Sequence, residues 1–156
     1  MKVGQTISQQ VREFHEMTHQ PVRDTPTVPP DDEVRTRLRL VLEECFELVG
    51  ACIGSDESIR ESWRLMLRAI NTNEVKVDMV EAADALADIA YVVEGTNLSF
   101  GIDSATVLAE VQRSNMSKRG GYLDEHGKFR KPPDWSAPRI DEVLARLTEL
   151  HAARVA

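Results

Sequence analysis

Two helix-period runs carry carboxylates inside otherwise apolar sequence. Glu43, Glu44 and Glu47 lie in LVLEECFELVG, and Glu81, Asp84 and Asp88 lie in VEAADALADIAYVV. On a helix Glu43 and Glu47 are four residues apart and Glu44 and Glu47 three apart, so the three converge on one side. Asp84 and Asp88 repeat the four-residue spacing, with Glu81 three residues ahead of Asp84. Carboxylates avoid core-facing helix surface unless their charge is compensated, and few lysines stand four residues on to pair with these. A chain of this kind therefore has two options. It can turn both acidic faces to water, or it can bring them together around a cation. The clusters are about 40 residues apart, which is room for a helical hairpin that sets them face to face. All-oxygen donors suit Mg²⁺, with Mn²⁺ as an alternative, and disfavour zinc. Helical acid quartets build such sites in bundles.

The rest of the pattern is helical as well. Residues 5–18 predict a first helix with Ile7, Val11, Phe14 and Met17 on one stripe, stopped by Pro21. PVRDTPTVPPDD is rich in proline and reads as an extended linker. Pro29 and Pro30 lead into Asp31 and Asp32, acids well placed to open a second helix over about 32–53, with Gly54 as its stop. A third helix is expected over about 55–70 with Ile59, Trp63, Leu67 and Ile70 inward. A fourth runs over about 76–99, closed by Gly101, and a fifth from Asp103 or Ser104 to about 114. Residues 115–137 are rich in Gly, Pro and charge and read as irregular, and Asp124–Gly127 allows a short hairpin. Ser136 or Pro138 opens a last helix to about 153. The expected architecture is a single all-α domain over 1–156, a bundle of about five to six helices. Wide apolar stripes on few helices fit a homodimer.

Composition narrows the function classes. A chain of 156 residues suffices for one domain with a sizeable core. Its net charge of −7 argues against general nucleic-acid binding, which needs a basic face. It leaves room for a small anionic substrate, because a metal ion supplies local attraction. Cys45 and Cys52 are seven residues apart, too far for a zinc knuckle or redox pair, and are expected to pack as small hydrophobes in a reducing compartment. MKVGQTISQQ has no apolar signal-peptide core and no apolar run reaches membrane-spanning length, so a cytoplasmic protein is expected. His15, His19, His126 and His151 have no metal-ligand spacing.

The ordered residues carry a family resemblance. Glu43-Glu44-x-x-Glu47, followed by Asp84-Ala-Leu-Ala-Asp88-Ile-Ala-Tyr91-Val, resembles the all-α nucleoside triphosphate pyrophosphohydrolases. That superfamily includes the MazG proteins, the phosphoribosyl-ATP pyrophosphohydrolases and the dimeric all-α dUTPases. Phe14-His15, Phe100-Gly101-Ile102-Asp103, Ser114-Asn115-Met-Ser117-Lys118 and the Gly127-Lys128 … Lys131-Pro132 … Trp135 … Pro138 stretch extend the likeness over roughly 11–140. One departure is Ala85, where the family's second motif places Glu. Asp84 is the stand-in, and Glu81 is left as an acid that supports the ligands from behind or faces solvent.

The resemblance implies hydrolysis of a nucleoside triphosphate between the α and β phosphates, giving the monophosphate and pyrophosphate. It implies Mg²⁺ held by Glu44, Glu47, Asp84 and Asp88, with Glu43 orienting or deprotonating the attacking water or else binding metal. It also implies substrate contacts from Asn115 and Lys118. Lys128, Arg130 and Lys131 form a local basic patch that could close over the phosphates as a lid, and Trp135 could stack on a base or only pin the loop to the bundle. For Asn115 and Lys118 a simple helix C-terminus with favourable cations is the alternative, and for Lys128 and Lys131 a solvated loop. A dUTP-like deoxynucleotide is the expected substrate, phosphoribosyl-ATP the second choice, and a non-catalytic helical dimer the reading of a different class.

Overall fold

A computed structural model of the chain describes residues 5–123 and 129–155. These form six helices, α1 (Ile7–Met17), α2 (Asp31–Ile53), α3 (Glu57–Thr72), α4 (Met79–Phe100), α5 (Ser104–Met116) and α6 (Ile140–Val155), with two-residue strands β1 (Tyr122–Leu123) and β2 (Phe129–Arg130). The fold is all-α.

Local chemistry sets most of the helix ends. Thr6 Oγ1 accepts from the Gln9 amide while Gln9 Oε1 accepts from the Thr6 amide, a reciprocal cap that opens α1. Beyond α1, His19 takes a left-handed φ of 56° ahead of Pro21. α2 begins after Pro30 with Asp31, Asp32 and Glu33 against its positive end, and it stops at Gly54, whose φ of 85° suits glycine. Asp56 accepts from the Ile59 amide to cap α3, and Asp103 accepts from the Thr106 amide to cap α5. Asp78 accepts from the Val80 and Glu81 amides at the head of α4.

The chain divides into two compact units, Thr25–Asp84 and Met1–Asp24 with Ala85–Ala156. In the first, α2 packs on α3. Phe46 and Trp63 meet at a centroid distance of 4.9 Å and an angle of 54°. Arg35 donates to the Ile70 carbonyl and, at 2.8 Å, to the Asn73 carbonyl, satisfying acceptors that the end of α3 leaves open. Gly50 sits where a Cβ would stand 2.6 Å from Ser55 Oγ, so the α2–α3 turn closes tightly on it.

In the second unit α5 packs on both α1 and α6. Gln112 Nε2 donates to the Gln10 carbonyl across the α1–α5 contact. β1 and β2 pair antiparallel, Tyr122 opposite Arg130 and Leu123 opposite Phe129. The expected hairpin is present, although its turn, Asp124–Gly127, lies outside the described residues. Gly121 is required beside it, since a Cβ there would stand 2.5 Å from the Arg130 carbonyl oxygen and from the Phe129 ring.

Three expectations are corrected. α6 starts at Ile140, not at 136–138, because the Ser136 amide and Ala137 carbonyl bond to Ser117 and Arg113 and the Arg139 amide bonds to Glu110 instead of entering a helical turn. α4 starts at Met79 rather than 76, since Asp78 serves as its cap. Cys45 and Cys52 are free and exposed, not packed, because α3 covers only one side of α2. No described hydrophobic side chain is fully buried, and Ser114 is the buried residue, 3% exposed. α4 leaves Leu86, Tyr91, Val92 and Leu98 open. No described helix is long and apolar enough to cross a membrane.

Candidate active site

Two of the three acids in the first cluster share a cavity. The helical repeat of α2 directs Glu43 and Glu47 into one cavity of about 390 Å³, with Phe46 on the same helix and Ile59 and Trp63 of α3 forming the apolar wall. Arg60 lines the same cavity, but its guanidinium donates to the Ser55 carbonyl and to Glu57. Among the described residues no Lys, Arg or His forms an ion pair with Glu43 or Glu47. The two carboxylates thus repel each other across a space open to solvent. Their hard oxygens, with no thiolate or imidazole in the lining, match the donor chemistry of Mg²⁺. Glu44 is exposed on α2, outside the lining of that cavity.

The second cluster separates. Asp84 and Asp88 are both exposed and four residues apart on α4. Glu81 instead lines a different cavity, of about 600 Å³, together with Arg35, Leu38, Ile70 and Val77. Among the described residues no three His, Cys, Asp or Glu side chains stand close enough to hold a metal ion as they are.

The remaining expected residues gather around the end of α5. Lys118 Nζ donates to Asn115 Oδ1 at 2.8 Å and lies 5.4 Å from the centre of the Phe14 ring. The Trp135 amide donates to the Pro132 carbonyl, and this turn brings Lys131 Nζ to 3.6 Å from the Trp135 ring centre, a close cation–π contact. The Trp135 indole N–H is buried without an acceptor among the described residues. Lys128 lies outside the described residues.

Glu110 and Arg113, which the sequence reading passed over, tie this region together. Arg113 forks onto both Glu110 oxygens, at 2.7–3.0 Å, and its remaining donors reach Ser136 Oγ at 3.0 Å and the Ala137 carbonyl at 2.8 Å. Glu110, 11% exposed, also accepts from the Arg139 amide. The Arg113 guanidinium first, and the Arg139 N–H next, hold its carboxyl down to about 2. Ser117 Oγ accepts from the Ser136 amide and donates to the Ser114 carbonyl. The available signal was a Glu and an Arg three residues apart on a helix, just ahead of Asn115.

A family model described as phosphoribosyl-ATP pyrophosphohydrolase matches residues 11–115. The chain belongs to that family. The match takes in both acidic clusters and Asn115, and it ends before Lys118, Lys131 and Trp135. Family membership makes the chain a hydrolase of phosphoanhydride bonds. The fold is shared with the crystal structure of a candidate NTP pyrophosphohydrolase from Exiguobacterium sp. 255-15, at a TM-score of 0.69 and 22% identity, covering 94% of this chain and 96% of the other. No curated protein matches the chain. The pyrophosphohydrolase family therefore supplies the reaction type.

Proposed function

We propose that the chain is a Mg²⁺-dependent nucleoside triphosphate pyrophosphohydrolase. It cleaves between the α and β phosphates to release a monophosphate and pyrophosphate, with dUTP-like deoxynucleotides favoured. The observation that carries this reading is the pair Glu43 and Glu47, two carboxylates in one open cavity that form no ion pair among the described residues, inside the family-matched segment. Glu44, Glu47, Asp84 and Asp88 would hold the metal, through carboxylate oxygens only. A metal held there would supply charge neutralisation at the phosphates. Glu43 positions the attacking water and accepts its proton at a carboxylate oxygen, the role of a general base. Asn115 and Lys118 are assigned to phosphate or sugar oxygens, and Lys128, Lys131 and Trp135 to the phosphates and base.

The experiment is pyrophosphate release across a panel of ribo- and deoxynucleoside triphosphates with Mg²⁺, with product identification to separate α–β cleavage from loss of the γ phosphate. The expected result is pyrophosphate and a monophosphate, fastest with dUTP. Absence of release from any triphosphate by the folded, metal-loaded protein overturns the reading and leaves a non-catalytic nucleotide-binding dimer. Phosphoribosyl-ATP belongs in the panel as the second reading, favoured by the family's description.

We further propose that the working form is a cytoplasmic homodimer. The exposed Leu86, Tyr91, Val92 and Leu98 of α4 support it, since apolar surface of this kind marks an interface.

A further inference from the structure

The bonds around Arg113 and Ser117 do more than fasten a loop. They act on the turn Pro132–Trp135 from its downstream side, where Ser136 and Ala137 are fixed to α5 by an amide-to-hydroxyl bond of 3.0 Å and by two guanidinium donors at 3.0 and 2.8 Å. That turn carries Lys131 folded over the Trp135 ring. The same end of α5 carries Asn115 and Lys118. Arg113 has its charge matched by Glu110, so it is committed to holding backbone and hydroxyl. The buried Trp135 N–H needs an acceptor, and a phosphate oxygen is one of the right kind.

We propose that Arg113 and Ser117 are positioning residues that clamp the Lys131–Ser136 strap to the end of α5, so that Lys131 and the Trp135 indole N–H are held in place for the polyphosphate of the substrate. The clamp holds the groups that bind the anion and touches no reacting atom. This inference rests on the pyrophosphohydrolase reading, and its test has a readout that does not need turnover.

The probe is sodium tripolyphosphate, followed by Trp135 fluorescence in a Trp63→Phe background that leaves Trp135 as the single tryptophan. Fluorescence is expected to change on titration, because an anion drawn to Lys131 alters the ammonium–indole contact. Ser117→Ala and Arg113→Gln are expected to weaken that binding about tenfold, while Ser117→Thr, which keeps the hydroxyl, restores it. In turnover, with Trp63 intact, the same two variants are expected to raise KM about tenfold and hold kcat within about twofold, because the α2 carboxylates are untouched. If Arg113→Gln does not fold, the Ser117 pair decides.

Tripolyphosphate that fails to bind the Trp63→Phe protein overturns the proposal. So do folded variants with unchanged affinity and KM, a loss confined to kcat, or a Ser117→Thr variant as weak as Ser117→Ala. A chain that binds tripolyphosphate through this clamp yet hydrolyses no triphosphate refutes the catalytic reading and leaves the positioning role standing.

Discussion

Glu47 faces an open cavity on α2, whereas Glu110 on α5 is held by Arg113. Glu47 shares an open cavity with Glu43, and no ion pair joins it to a cation among the described residues. Glu47→Gln is expected to lower turnover by at least about a hundredfold, the usual scale for removing a group that acts in the transition state. The same change removes a like-charge pair four residues apart, so metal-free protein should be equally stable or gain about 0.2–0.5 kcal/mol, read as melting temperature. A large fall in melting temperature would show that Glu47 serves the fold instead. Glu110 has its carboxyl pulled down to about 2 by Arg113 and the Arg139 amide. A depressed acid stabilises the fold above its ordinary value, and that contribution fades as pH falls toward the folded one. Stability should therefore decline between about pH 5 and pH 2, and Glu110→Gln should flatten that part of the curve in acid-titrated thermal melts.

Single elements are governed by their ends. The Asp56 carboxylate accepts from Ser58 Oγ and from the Ile59 amide at the head of α3, and these bonds lower its pKa. Asp56→Ala should lower the midpoint of denaturant unfolding, because the head of α3 loses its cap. Gly121→Ala should break the Tyr122–Arg130 pairing, because its Cβ would meet backbone rather than a movable side-chain tip. Loss of the cross-strand contacts in an NMR spectrum, with a cost of about 1–3 kcal/mol, is the expected signature. Elements such as α1, α2 and α5 were legible in the sequence because periodicity and capping are local codes. The start of α6 was not, since the Arg139 N–H is taken by Glu110, 29 residues earlier in the chain. Glu43 and Glu47 were legible for the same local reason. The Arg113 clamp was hidden because its partners at Ser136 and Ala137 are defined only once the chain has folded back.

For the molecule as a whole, the unmatched feature is apolar surface. Tyr91 is 82% exposed and Leu98 73% exposed on α4. If two copies cover this helix, the melting temperature should rise with protein concentration, as mass action requires of a dimer. Leu98→Asp should give a monomer by light scattering; a dimer that survives it, with unchanged mass, would place the contact elsewhere.

The free thiols of Cys45 and Cys52 point the same way through chemistry rather than mass. Both are open on α2, a helix that also exposes Leu48, Val49 and Ile53. A thiolate reacts with an alkylating reagent only while the reagent has access to it, so covering a cysteine slows its labelling. The rate at which the two cysteines are labelled is thus a clock for how much of α2 is covered, one that runs in dilute solution or in a crude extract. Slower labelling at higher protein concentration would time the burial of this helix by a second copy, with no added probe.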